Sequence, residues 1–248
     1  MEESSMPEQE IAVVVGVGPG LGASLARRFA KAGMAVALAA RTPDKLAALA
    51  KEMKSLGGEG HAYACDATAP REVESLFGRV QADLGTPHLV VHNASAFMRK
   101  SILDTTVEEF ERCWRVSCLG GFLVGAAAAR AMLPRIEAGG AGGTILFTGA
   151  TASLRGGAMF HNLAVGKFGL RALAQSMARE FQPKGIHVAH AIIDGQIAGE
   201  RSGYRRDERG PDAFLEPDAI AEAYYQVHRQ PRSAWTLEFD LRPWVEKF

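Results

Sequence analysis

The sequence predicts a single α/β domain in which a mostly parallel, seven-stranded sheet is doubly wound by helices on both faces. Seven short apolar runs alternate with longer amphipathic stretches from Ile11 to the C-terminus, the pattern of a sheet wrapped by crossover helices. Most of the runs are continuous rather than alternating, as strands buried on both faces must be. With 248 residues, 47% hydrophobic and 23% charged, the chain suits one domain, residues 1–248, around a sizeable core.

The strand-like runs are IAVVVG from Ile11, AVALAA from Ala35, HAYACD from His61, HLVVHNA from His88, TILFTGA from Thr144, IHVAHAII from Ile186 and WTLEFD from Trp235. Between them the amphipathic stretches predict helices over Gly20 to Ala32, Pro43 to Leu56, Pro70 to Leu84, Val107 to about Leu133, Asn162 to Phe181 and Pro217 to Val227. Pro43, Pro70 and Pro217 sit at helix starts, where a missing N–H costs little. Arg135 to Gly143 reads as a glycine-rich turn. Gln196 to Pro211 is polar, charged and without a periodic apolar face, so it is expected to be a mobile substrate lid or plain disorder.

Charge narrows the function classes. Lys plus Arg and Asp plus Glu both number 28, so there is no basic excess to point to nucleic acid or an anionic membrane. The apolar stretches are broken by glycine or charge before about 18 residues, and the polar, acidic start does not read as a cleavable signal. A cytoplasmic protein acting on a small molecule is expected. Cys65, Cys113 and Cys118 form no CxxC pair, so neither a disulfide framework nor a metal site is expected.

The segment VVVGVGPGLG places Gly16, Gly20 and Gly22 directly after the first strand, with Leu21 opening a helix between the last two. Glycines there permit a tight turn, close approach of backbone to a pyrophosphate and close helix–strand packing, with the helix N-terminus facing the anion. The second strand ends at Ala40 and Arg41, where a carboxylate would accept from a ribose 2′-OH. A guanidinium in that place favours a 2′-phosphate, hence NADP(H) over NAD(H), unless Arg41 is simply solvated. Asp66, after the third strand, is placed to accept from an adenine amino group or to cap the helix near Pro70.

Taken in order, the glycine pattern, Asp66, HNAS at His92 to Ser95 and the lysine within AVGKFGLRALAQSMAREF resemble the short-chain dehydrogenase/reductase family over essentially the whole chain. The resemblance implies a Rossmann-fold oxidoreductase using NAD(P)(H), commonly a homodimer or homotetramer. It assigns Asn93 and Ala94 to the segment that steadies the central strand beside the cofactor. Gly195 and Ile197 fall in the cofactor-contacting stretch after the sixth strand, where the family's Pro-Gly is Asp194-Gly195. Lys167 matches the lysine that holds the nicotinamide ribose.

The same resemblance exposes departures. The family's proton-donating tyrosine, four residues before the lysine, is Leu163; its substrate-orienting serine is Ala150; its supporting asparagine is Ser117. A positioned general acid is worth about 10²–10⁴ in rate and an oxyanion donor about 10²–10³, so ordinary ketone reduction by the family mechanism should be crippled. His161 is a candidate substitute only if it precedes the helix, since six residues of helix turn it about 120° from Lys167; otherwise it is a packing histidine. Tyr204 could descend from the Gln196 to Pro211 segment or stay solvated, and Thr151 and Ser153 could orient a substrate but would be poor acids. Leu163, with Leu170, Leu173 and Met177, could instead extend an apolar stripe. The expected activity is hydride transfer to a small carbonyl, imine or enone with a non-standard proton donor; the alternative is an inactive NADP(H)-binding sensor or oligomer partner.

Overall fold

The computed structural model describes residues 9–199, 210 and 212–246. Seven strands, β1 (Ile11–Val15), β2 (Ala35–Ala40), β3 (Glu59–Ala64), β4 (Leu89–His92), β5 (Gly143–Thr148), β6 (Ile186–Ile193) and β7 (Glu238–Leu241), form one sheet in the order β3-β2-β1-β4-β5-β6-β7. Every neighbouring pair is parallel. The expectation of a mostly parallel sheet is therefore met by a wholly parallel one.

The long helices are α1 (Leu21–Lys31), α2 (Ala47–Ser55), α3 (Pro70–Asp83), α4 (Val107–Trp114), α5 (Gly120–Glu137), α6 (His161–Phe181) and α7 (Pro217–His228). Successive strand residues point to opposite faces, so the continuous apolar runs feed two cores at once. Val13, Val15, Val90, Ile145 and Phe147 pack with Leu76 of α3, Val124 of α5 and Leu170 of α6. Val14, Val36, Leu38 and Leu146 pack on the other face with Leu25 and Phe29 of α1, Met53 of α2 and Tyr224 of α7. Each such large side chain contributes about 1.5–3 kcal/mol by leaving water.

The predicted helix from Val107 is broken in register rather than in direction. Between α4 and α5, Arg115–Leu119 form one wide π turn, and the axis then continues to Glu137. The stretch Val107–Glu137 is long and apolar enough to cross a membrane by length and composition, contrary to the expectation that glycine and charge divide it. Half of its most apolar window is buried in the fold, as in a core helix.

Because all strands run the same way, the chain leaves each one at the same edge. The order reverses between β1 and β4, and the crevice outside the carboxyl ends of strands at such a reversal is where open α/β sheets bind ligands. Gly16, His92, Thr148 and Asp194 follow or end β1, β4, β5 and β6 on that edge.

Candidate active site

At the mouth of α1, Gly16 has φ +95°, and a Cβ added to it would lie 2.4 Å from the backbone nitrogen of Ala94. A Cβ on Gly22 would lie 2.8 Å from the Cα of Val17. These two positions accept only glycine, since backbone stands in the way. Gly20 has the opposite surroundings, with nothing within 4 Å of its Cβ direction. It caps α1 without a side-chain hydrogen bond, and no acidic residue stands in the first turn. The helix therefore presents backbone N–H groups and the positive end of its dipole to open space, which fits a pyrophosphate. Leu21 is buried and contributes its side chain to the core. Asn93 supports the turn, its Nδ2 donating to the Gly16 carbonyl at 3.1 Å while its backbone N–H donates to Val15 at 2.8 Å.

Arg41 is exposed just past β2. Asp66 shapes its own turn, with Oδ1 accepting from the backbone N–H and the hydroxyl of Thr68, both at 2.8 Å. The N-terminus of α3 carries no side-chain cap, so the alternative of Asp66 as its helix cap is not realised.

At the other end of the crevice, Lys167 is 2% exposed and its Nζ donates to the Thr148 carbonyl at 2.6 Å, tying α6 to the end of β5. Burial lowers its pKa from the usual 10.5 to about 8. Ser117, within the π turn, is fully buried with its hydroxyl unpartnered, and a Cβ on Gly166 would lie 2.9 Å from the Ser117 Cβ. His92 at the end of β4 is also fully buried, with both ring nitrogens unpartnered. Burial first, and the Lys167 charge second, depress its pKa to about 3, so it stays neutral. The π turn thus lies beside Lys167's helix, in the kind of place where such turns are frequent at functional sites.

Leu163 lies one turn before Lys167 on α6 and is half-buried. The apolar stripe it was expected to extend is real for Leu170, Leu173 and Met177, which pack in the core, but Leu163 belongs to neither core cluster. Ala150 follows β5 in extended conformation at φ −161°. His161 is the first residue of α6, not part of the turn before it, and its ring lies parallel to that of Phe110 with centroids 6.4 Å apart. The condition for a catalytic His161 is therefore unmet, because helical geometry turns the ring toward α4 instead of along the Lys167 face.

After β6, a Cβ on Gly195 would lie 2.7 Å from Pro243 Cδ. Ile197 pairs with Leu215 in an isolated parallel bridge, so the first residues of the expected lid are tied down. Tyr204 and most of the expected lid lie outside the described residues. Beside Ala150, a cavity of about 190 Å³ is lined by Thr151, Leu154, Arg155, Asp194 and Arg242. In it the Thr151 hydroxyl donates to Asp194 at 2.5 Å, and Arg242 reaches Asp194 at 3.2 Å.

Sequence reasoning passed over His92, His190 and Glu238. The available signal was a histidine inside an otherwise apolar strand, in HLVVHNA and again in IHVAHAII. Such a side chain must be neutral and partnered, or else cost stability.

Comparison with known proteins agrees with this geometry. The family described as short chain dehydrogenase matches residues 10–209. A short-chain dehydrogenase/reductase of Armillaria gallica is 34% identical over 200 residues, 79% of this chain and 74% of that protein. A solved short-chain dehydrogenase from Rhodopseudomonas palustris is 39% identical with a TM-score of 0.81, covering 96% of this chain and 100% of the other. An alcohol dehydrogenase from Thermococcus sibiricus, solved with 5-hydroxy-NADP, is 26% identical with a TM-score of 0.85, covering 97% and 99%. With the glycine turn, the lysine on α6 and the all-parallel sheet in place, the chain belongs to the short-chain dehydrogenase/reductase family of oxidoreductases.

Proposed function

We propose that this protein is an NADPH-dependent reductase that delivers hydride to an activated double bond, such as an enone, an imine or a reactive carbonyl. The observation that carries the reading is the division of the catalytic helix. Lys167 is kept, buried and anchored at the cofactor end, while Leu163 one turn earlier can donate no proton. The solved relative with 5-hydroxy-NADP and a metagenomic short-chain oxidoreductase solved with NADP, 25% identical at a TM-score of 0.79, support a nicotinamide dinucleotide here. When bound, it supplies the hydride. The backbone at Gly20 to Gly22 would receive its pyrophosphate, exposed Arg41 its 2′-phosphate and Lys167 its nicotinamide ribose.

Loss of the tyrosine and serine sets the substrate class. Ala150 offers no side-chain hydrogen bond and Leu163 no acid, so a substrate whose own electronics stabilise the added electron pair suits the site best. Lys167 is itself an acid in the working range, since its ammonium is held near pKa 8.

Exposed Phe110, Phe122, Val165 and Phe168, on α4, α5 and α6, support assembly into a homodimer through that helical face.

Titrating the protein with NADPH and NADH, beside NADPH oxidation across ketones, imines and enones, tests the proposal. Tighter binding of NADPH, weakened about tenfold by Arg41→Ala through loss of a charge-assisted contact, and turnover of an enone or imine abolished by Lys167→Ala are expected. Binding without turnover of any substrate would favour a non-catalytic NADP(H)-binding role, the reading that the altered Leu163 and Ala150 positions also permit.

A further inference from the structure

A chain of buried polar contacts runs beneath the reacting end and includes groups that the proposed chemistry does not use. The Ala150 backbone N–H donates to Ser153 Oγ at 3.1 Å. Ser153 Oγ lies 3.3 Å from His190 Nε2, and His190 Nδ1 lies 3.1 Å from Glu238 Oε2. Arg171 grips the same carboxylate through both its Nε and its Nη2, each at 2.7 Å. Ser153 and His190 are no more than 1% exposed.

Chemistry fixes the direction of every link. The Glu238 carboxylate can only accept, so His190 carries its proton on Nδ1 and Nε2 is left as an acceptor. Ser153 must then donate its hydroxyl proton to Nε2, which leaves an oxygen lone pair for the Ala150 N–H. Burial lowers the imidazole pKa to about 4 and outweighs the Glu238 carboxylate, which raises it, so the ring is neutral. The order hydroxyl, imidazole, carboxylate matches that of an acyl-transfer triad. However, the serine is fully buried and its oxygen already accepts from Ala150, so the chain is built to hold and not to attack.

What it holds are the two elements that matter. Arg171 stands one helical turn after Lys167 on α6, whereas Ala150 begins the loop after β5, whose last carbonyl, that of Thr148, anchors Lys167 Nζ. We infer that Glu238 is a positioning residue that sets the lysine-bearing helix, through Arg171, against the substrate-facing end of β5, through His190 and Ser153. This rests on the reading that Lys167 and Ala150 flank the reacting atoms.

The test uses the full chain labelled with ¹⁵N. Long-range proton–nitrogen correlation, with His190→Gln to assign the signal, should show the Nδ1–H tautomer in the wild type. In Glu238→Gln the backbone amide of Ala150, three hydrogen bonds from the changed atom, should shift; in Ser153→Ala the His190 Nε2 signal should shift while the protein stays folded. The NADPH dissociation constants of Arg171→Gln, Ser153→Ala and the double variant should be non-additive by at least about twofold, and additive once Glu238→Gln is present. An Nε2–H tautomer, an unmoved Ala150 amide or additive effects throughout would overturn the inference. Failure of the wild type to bind NADPH would sink the proposed function, and the tautomer and amide readings would still judge Glu238.

Discussion

Leu163 and Ala150 are the single side chains on which the proposed chemistry turns. Replacing them as a pair, Leu163→Tyr with Ala150→Ser, should raise ketone reduction by about 10²-fold or more if only the acid and the orienting hydroxyl are missing. Steady-state assay on simple ketones checks this, and unchanged inactivity would point to the Thr151, Asp194 and Arg242 cavity as the further obstacle. Lys167 gives a second prediction. Its ammonium is the acid form, present below about pH 8 and lost above it, so turnover that draws its proton from this group should fall as pH rises through 8. A pH–rate profile flat across that value would show that the proton comes from elsewhere. The lysine was legible because its helix is amphipathic and because the run AVGKFGLRALAQSMAREF around it carries the family resemblance. Burial, and hence the lowered pKa, was not, because it depends on what α6 packs against.

Whole elements were read well wherever a local rule fixed them. The strand, glycine turn and helix from Ile11 to Lys31 follow from the positions where backbone crowding excludes a Cβ. Gly16→Ala would place a methyl 2.4 Å from the Ala94 nitrogen at φ +95°. A loss of about 2–4 kcal/mol is expected from the clash together with the backbone strain, measured by denaturant unfolding, along with loss of NADPH binding. The π turn at Arg115–Leu119 was not legible: its extra residue shifts the helical phase, but the small and apolar run Gly120 to Ala129 that follows carries too little polar contrast to show the shift. Strand β7 lies at Glu238–Leu241, later than the run from Trp235 implied. Trp235 instead stacks on His187 with ring centroids 4.8 Å apart, a tertiary contact that no periodicity announces.

At the scale of the whole molecule, the buried histidines make stability depend on pH. His92 has a folded pKa of about 3 against an ordinary 6.5, and His190 is shifted in the same direction. As pH falls below 6.5 the unfolded chain takes up protons that the folded chain refuses, so stability declines toward pH 3. Between pH 6.5 and 5.5 this amounts to about 1 kcal/mol for each such histidine, or about 2–4 °C in Tm per kcal/mol for a domain of this size. Thermal unfolding across that range, before most carboxylates titrate, should show the decline, and His92→Gln should flatten it. A His92→Gln protein with the wild-type slope would assign the pH dependence to other groups.

The sequence by itself determined the fold class, the glycine turn after β1 and a lysine on α6 with a leucine one turn before it. Each follows from periodicity, from sterics at glycine, or from residue types at fixed spacing, all of which are local. Only the tertiary structure decided that His161 faces Phe110, that Leu163 stays out of the core and that Glu238 reaches both Arg171 and His190. Those relations join residues far apart in the chain, and close packing of α6 on the sheet brings them within hydrogen-bond reach.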